Sequence, residues 1–306
     1  MDTLKKMLDM GRPIMAPLAF NPLSARIAQD AGMDALYLGG GALGYLKVGT
    51  EANLSLTEMA QLGIEIRAKS DLPLILDGQC GWGDAMHLSH AIQVAEAAGF
   101  AAIEIEDQVV PKRAHHHAGV EHLVSADEMA EKISTAVSSR RGDELLIIAR
   151  TNAARIEGID GAMRRAEAYR EAGADLLFVV PSKPSDVAVT GKRLGAPLMF
   201  MAVGAEPSGG LTIGEMYELG YRIFVDSMSP MMSTYAALSA NYRQIREHAD
   251  QSSVYAMPDM GNLQRQIHDT IGLDALLEIE RRTVEAGADT ARARPHWVAE
   301  DGPDKE

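Results

Sequence analysis

The chain has 306 residues, with 29 Lys and Arg against 43 Asp and Glu and a formal charge of −14. That length fits two ordinary domains or one α/β barrel of about 250 residues, and the acidic balance argues against nucleic acid or an anionic membrane surface as partner, since both need a basic face. A single cysteine, Cys80, leaves no intramolecular disulfide, and no apolar run approaches the ~20 residues of a membrane span. In chain order, short apolar runs at 13–17, 35–39, 72–77, 101–106, 145–150, 176–180, 197–201 and 222–226 read as strands. Helical patterns near 22–32, 57–69, 84–98, 126–139, 159–172, 183–194, 212–219 and 229–249 follow them in turn. Such alternation implies parallel strands with crossover helices. Eight units imply closure into a (β/α)8 TIM-type barrel more readily than a doubly wound open sheet. Ala31-Gly32, Ala98-Gly99, Ala172-Gly173 and Leu219-Gly220 each precede a strand, where a glycine can take the left-handed turn that ends a helix. The barrel is expected over 1–250 and a helical C-terminal extension over 251–306, with one helical segment at 261–287 and a loose polar tail at 289–306. An extension that a closed barrel cannot bury implies packing on a neighbouring subunit, hence a homo-oligomer. The segment MDTLKKMLDMGRP lacks the apolar core of a signal peptide, so a cytoplasmic location is expected.

Polar residues gather where the strands end, which in a parallel barrel is the active-site rim. The second strand runs through Tyr37 into Gly39, Gly40 and Gly41, the third ends at Asp77, the fourth carries Glu104 and Glu106, and the fifth ends at Arg150. Glu104 and Glu106 are two apart and share a face, leaving Ile103 and Ile105 for the helices. Two inward carboxylates repel unless one is protonated or a cation lies between them. A hard divalent cation held by Asp77 and Glu106, partly through water, explains them, and Mg2+ suits sparse carboxylate ligation. The alternative is a buried ion-pair network with Arg150 or Lys112. Arg150 can fork onto a substrate carboxylate, and the glycine run can bring backbone N–H groups close to an anion. The polar segment 111–119 is long for a loop after a strand and suits a lid. Of its three adjacent histidines, one can move a proton, while His115 and His117 read as solvated.

At these same positions the sequence resembles the isocitrate lyase and phosphoenolpyruvate mutase superfamily. The resemblance covers roughly 10–250. It is carried by YLGGGAL at 37–43, LPLILDGQCGWG at 72–83, AAIEIEDQVVPKR at 101–113, LIIARTNA at 146–153, GIDGAMRRAEAYREAGAD at 158–175 and ELGYRIFV at 218–225. It implies a modified barrel with a helix swapped between subunits, in a tetramer or dimer. It further implies Mg2+, replaceable by Mn2+, and a small anionic 2-oxo or 2-hydroxy acid turned into an enolate by breaking a C–C or P–C bond. By position, Asp77 and Glu106 match metal-site carboxylates, Gly40 and Gly41 match backbone donors to substrate, and Tyr37 lines the same pocket. Arg150 matches the arginine that holds the acid, and Lys112 and His116 match the mobile catalytic loop.

The departures bear on the substrate. The family's DAD-type turn is Asp77-Gly78-Gln79 here, and Glu104 stands where lyases often have His, so Glu104 is expected to restore the lost negative charge at the metal. The acid expected after the second strand is Glu51. Ala114 replaces the loop cysteine that protonates the departing enolate, and Met201-Ala202-Val203-Gly204 replaces a polar segment. Met201, Val203 and Met228 either line the pocket or belong to the core. The expected activity is a Mg2+-dependent carbon–carbon lyase or decarboxylase acting on a small 2-oxo or 2-hydroxy dicarboxylic acid, with an oxaloacetate-like substrate. The alternatives are retro-aldol cleavage of a substituted malate or methylisocitrate, and a degenerate barrel that serves as a binding or assembly protein.

Overall fold

The computed structural model describes residues 2–195, 197–202, 208–249 and 259–283. Val203 and Gly204, and the tail at 289–306, lie outside the described residues. Eight apolar runs become the strands β1 (Ile14–Pro17), β2 (Leu36–Leu38), β3 (Leu74–Asp77), β4 (Ala102–Glu106), β5 (Leu146–Thr151), β6 (Leu176–Val179), β7 (Leu198–Met201) and β8 (Tyr221–Asp226). All pair in parallel in the order β1-β8-β7-β6-β5-β4-β3-β2, and a parallel bridge from Leu18 to Tyr37 joins the two ends. The chain is a (β/α)8 barrel. The helices are α1 (Leu4–Leu8), α2 (Pro22–Asp30), α3 (Gly40–Leu46), α4 (Leu56–Arg67), α5 (Ala85–Ala97), α6 (Ala126–Ser139), α7 (Gly158–Glu171), α8 (Ser185–Leu194), α9 (Ile213–Glu218), α10 (Ser229–His248), α11 (Met260–Ile271) and α12 (Leu273–Arg282).

The expected turns take the expected conformation: Gly32, Gly99, Gly173 and Gly220 have φ of 79°, 80°, 103° and 99°, which releases the chain from each helix into the next strand. Strand alternation then sorts side chains into two cores. Leu36, Leu74, Leu76, Ile103, Ile105, Ile147 and Ala149 pack outward against the helices. Ile75, Ala102, Ile148, Leu176, Phe178, Met199, Ile223 and Val225 fill the barrel interior. Met201 belongs to that interior, and Met228 packs beside Leu18, Ala42 and Met231.

Three elements differ from expectation. A short helix, α1, precedes the first strand and buries Leu4 and Met7. The 39–41 glycine run is the start of a helix, with Gly39 as its N-cap. The segment expected as one helix over 261–287 is two helices, because Gly272 takes φ 68° between α11 and α12 and caps the first. The chain divides into two compact units, 1–235 and 236–306.

Candidate active site

Register places the functional side chains. In parallel pairing, residues opposite one another project to the same face. Asp77 on β3 lies opposite Glu104 on β4, Glu106 lies opposite Arg150 on β5, and Arg150 lies opposite Phe178 on β6. All are inward residues at the carboxyl ends of their strands. Four acidic or basic side chains from three adjacent strands therefore share one rim.

Their hydrogen bonds divide the rim into two clusters. In one, the Tyr37 hydroxyl donates to Glu104 Oε2 at 3.1 Å and Arg150 Nη1 donates to Glu104 Oε1 at 2.8 Å. The guanidinium also lies over the Phe178 ring, 5.3 Å from its centroid. In the other, Lys112 ion-pairs with both Glu51 and Glu106, and its side chain is only 5% exposed. Arg150 Nε, 3.3 Å from Glu106 Oε2, links the clusters, and Asn152 Nδ2 donates to the same oxygen at 2.9 Å. Asp77 is fixed by two backbone donors: Gly40 N–H to Oδ2 at 2.8 Å and Gln79 N–H to Oδ1 at 3.0 Å. The anion that Gly40 approaches in this structure is thus the protein's own Asp77. Gly41 lies just as close to Glu51, since a Cβ there would come within 3.0 Å of Glu51 Oε2.

The 111–119 segment folds over this rim. His116 Nε2 lies 2.7 Å from Glu51 Oε1, and its Nδ1 lies 2.7 Å from the Arg113 carbonyl. His117 is exposed, as expected, and also ties the segment down through Thr50 Oγ1 at 2.9 Å and Tyr45 at 3.2 Å. His115 lies 3.4 Å from His122.

Burial and neighbouring charge pull the carboxyls apart. Burial pushes Glu104 up to about 7, because Arg150 only partly offsets the loss of water. Asp77 is likewise raised by burial, against the pull of Lys112. Glu106 is equally buried, but Lys112 and then Arg150 outweigh that and hold it at about 2. For His116, burial works against the charged form, yet the bond to Glu51 prevails and raises its pKa. The Cys80 thiol is pushed up by burial and then by Glu106, 3.8 Å from its sulfur.

All the residues singled out in the sequence, Tyr37, Gly39, Gly40, Gly41, Asp77, Glu104, Glu106, Lys112, His116 and Arg150, fall at this rim. The direct neighbours of Glu104 are Tyr37 and Arg150, while Glu51 and Glu106 flank Lys112. Asn152 belongs to the polar end of the fifth strand in the sequence but is given no role there, although it stands two residues beyond Arg150 in the same ARTNA motif and strand alternation supplies that signal. Among the described residues, no three Asp, Glu, His or Cys side chains are already spaced to hold an ion. The ion-pair alternative accounts for that spacing, because the Lys112 ammonium sits between Glu51 and Glu106. The buried carboxylate oxygens beside Lys112 nevertheless fit a hard cation, and the buried Gln79 Nε2, which has no hydrogen-bond partner, is a free donor for an acceptor oxygen next to them.

Comparison with known proteins gives the chain its relatives. A family profile described as phosphoenolpyruvate phosphomutase matches residues 4–246. A 2-methylisocitrate lyase of Aeropyrum pernix is 32% identical over 92% of this chain and 89% of its own. An oxaloacetate decarboxylase of Paraburkholderia xenovorans is 33% identical over 64% of this chain and 67% of its own. A solved phosphonopyruvate hydrolase in complex with oxalate and Mg2+ superposes with a TM-score of 0.79 at 28% identity, covering 92% of this chain and 98% of that one.

Proposed function

The chain belongs to the phosphoenolpyruvate phosphomutase family, and from that premise we propose that it is a Mg2+-dependent carbon–carbon lyase that decarboxylates a small, oxaloacetate-like 2-oxo diacid through an enolate. The observation that carries this reading is the buried gathering of Glu51, Asp77 and Glu106 around one ammonium, with Arg150 in register beside Glu106.

Asp77 and Glu106 would hold the ion, with Glu104 beside them on β4, bonded to Tyr37 and Arg150. The chemistry Mg2+ supplies there is Lewis-acid polarisation of a 2-oxo oxygen, which favours the enolate. Arg150 binds a substrate carboxylate; Glu104, Asn152 and Phe178 fix its orientation beforehand, so little ordering is left to binding. Gly39 and Gly40 set the start of α3, and Gly41 remains the candidate backbone donor to the acid. Tyr37 closes the floor of the pocket and keeps Glu104 aimed at Arg150. Lys112 brings the 111–119 segment over the rim and keeps water out. His116 is the better proton donor of the two loop residues. The bond to Glu51 favours its imidazolium form, with a proton at Nε2, whereas Lys112 is pinned by two carboxylates that raise its pKa. Ala114 can donate nothing, which suits a reaction whose second product is CO2.

Product-resolved NMR with and without Mg2+ tests the reading. With the metal, the protein should turn oxaloacetate into pyruvate and CO2 well above the rate of a protein-free Mg2+ control, and without the metal it should add nothing to the spontaneous loss of CO2. A second organic acid released from a substituted malate or methylisocitrate would favour the retro-aldol alternative, which the named lyase relative also supports. No turnover of any 2-oxo or 2-hydroxy diacid, together with no Mg2+ binding, would return the chain to a binding or assembly role. The proposal extends to a homo-oligomer in the cytoplasm. α11 and α12 bury none of their own residues and leave Ile267, Ile271, Leu276, Leu277 and Ile279 exposed. No described helix is long and apolar enough to cross a membrane.

A further inference from the structure

Lys132, on α6, lies behind the rim and is 2% exposed. Its Nζ donates to the carbonyl of Cys80 at 2.6 Å and to that of Gly83 at 3.0 Å. Among the described residues no carboxylate ion-pairs with it. A buried ammonium without a counter-ion is costly, and a core position would ordinarily carry an apolar side chain. What it holds is the 78–83 turn, and that turn is strained: Gln79 and Trp82 both take positive φ, 49° and 56°, which side chains disfavour.

The turn is in direct contact with the proposed metal carboxylates. Gly78 N–H donates to the Glu104 carbonyl at 2.7 Å, and Glu106 N–H donates to the Gln79 carbonyl at 2.8 Å. Gln79 N–H holds Asp77 Oδ1. At its far end the Trp82 indole donates to the Leu54 carbonyl at 3.1 Å. A shift of the turn would therefore move Asp77 and Glu106 relative to one another.

We propose that Lys132 is a positioning residue, a tethered ammonium whose two carbonyl contacts clamp the 78–83 turn and so set Asp77 and Glu106 for a divalent cation. The metal half of this statement rests on the function proposed above; the clamp itself does not.

The chain has two tryptophans, Trp82 and Trp297, so a full-length W297F background makes Trp82 emission a report on the turn. Mn2+ alone, followed by the EPR signal of the free ion, reports the carboxylates without any turnover. Lys132→Met should keep the far-UV circular dichroism, shift Trp82 emission and weaken Mn2+ binding by roughly tenfold or more. Lys132→Ala should do the same, and added ammonium should restore both readouts where tetramethylammonium, which has no N–H, does not. Unchanged emission and unchanged Mn2+ affinity would overturn the proposal, as would changes that ammonium fails to reverse. If Lys132→Ala folds only with ammonium present, the clamp is supported; if it fails to fold with or without ammonium, the lysine is a packing residue and the proposal falls. A parent protein that binds no Mn2+ would contradict the metal reading, and Trp82 emission would still decide the clamp.

Discussion

Burial beside different cations gives Glu104 and Glu106 opposite effects on stability, though they stand two residues apart. Glu104 is held at about 7 against an ordinary 4.5. Between those values the folded protein keeps a proton that the unfolded chain releases. Stability therefore falls as pH rises through that window, by at most about 1.4 kcal/mol per pH unit. Glu106, held at about 2, acts the other way: its contribution is complete above 4.5 and is lost as pH falls toward 2. Glu104→Gln should flatten the decline between pH 4.5 and 7 in urea melts and leave the acid limb in place; a parental slope would show that the proton resides elsewhere. The same variant tests whether Glu104 supports the metal, since an unchanged Mg2+ dependence would separate it from the ion. Arg150→Lys keeps the charge but loses the fork, and should lower kcat/KM by roughly 100-fold, about 3 kcal/mol. A loss under threefold would mean that another group binds the acid. These strand residues were legible in the sequence because a period of two assigns each a face. Glu51 was visible only as a stand-in for an expected acid, and its pairing with Lys112 and His116 arises where two distant loops meet, which no local period encodes.

At the scale of elements, the close approach of β3 and β4 leaves no room at the turn that follows β3. A Cβ on Gly78 would lie 2.5 Å from the Glu104 carbonyl oxygen and 2.7 Å from Ile103 Cγ1, and the former is backbone and cannot swing away. Gly78→Ala should cost about 1–3 kcal/mol and displace Glu104 and Asp77 together. Gly142→Ala, where a Cβ meets nothing within 4 Å, should change stability by no more than about 0.5 kcal/mol. Equal melting temperatures for the two variants would refute the argument from close approach. The eight strands could be read from apolar runs, and the four glycine turns from their echo, because both are local signals. The α3 helix could not, since a glycine run is a poor helix signal and here a helix begins at Gly40, whose N–H bonds Asp77. Nor could the break at Gly272: the apolar period runs across it, and one left-handed residue suffices to separate α11 from α12.

For the whole molecule, the barrel gathers the candidate site residues on one rim, while α11 and α12 leave an apolar face exposed. Sedimentation equilibrium should therefore find a dimer or tetramer, and a monomer at micromolar concentration would leave that face without a partner. The central claim is that Asp77, Glu106 and Arg150, from three neighbouring strands, make one site shared by an ion and an acid. Two ligands sharing a site must alter each other's affinity by the same factor. Oxalate, a planar dianion shaped like the enolate of pyruvate, serves as the acid, and Mn2+ as the ion. Mn2+ binding measured by EPR should tighten by roughly tenfold or more when oxalate is saturating, oxalate should tighten equally in Mn2+, and Asp77→Asn should abolish the coupling. Independent binding of the two, with affinities that ignore one another, would contradict the account.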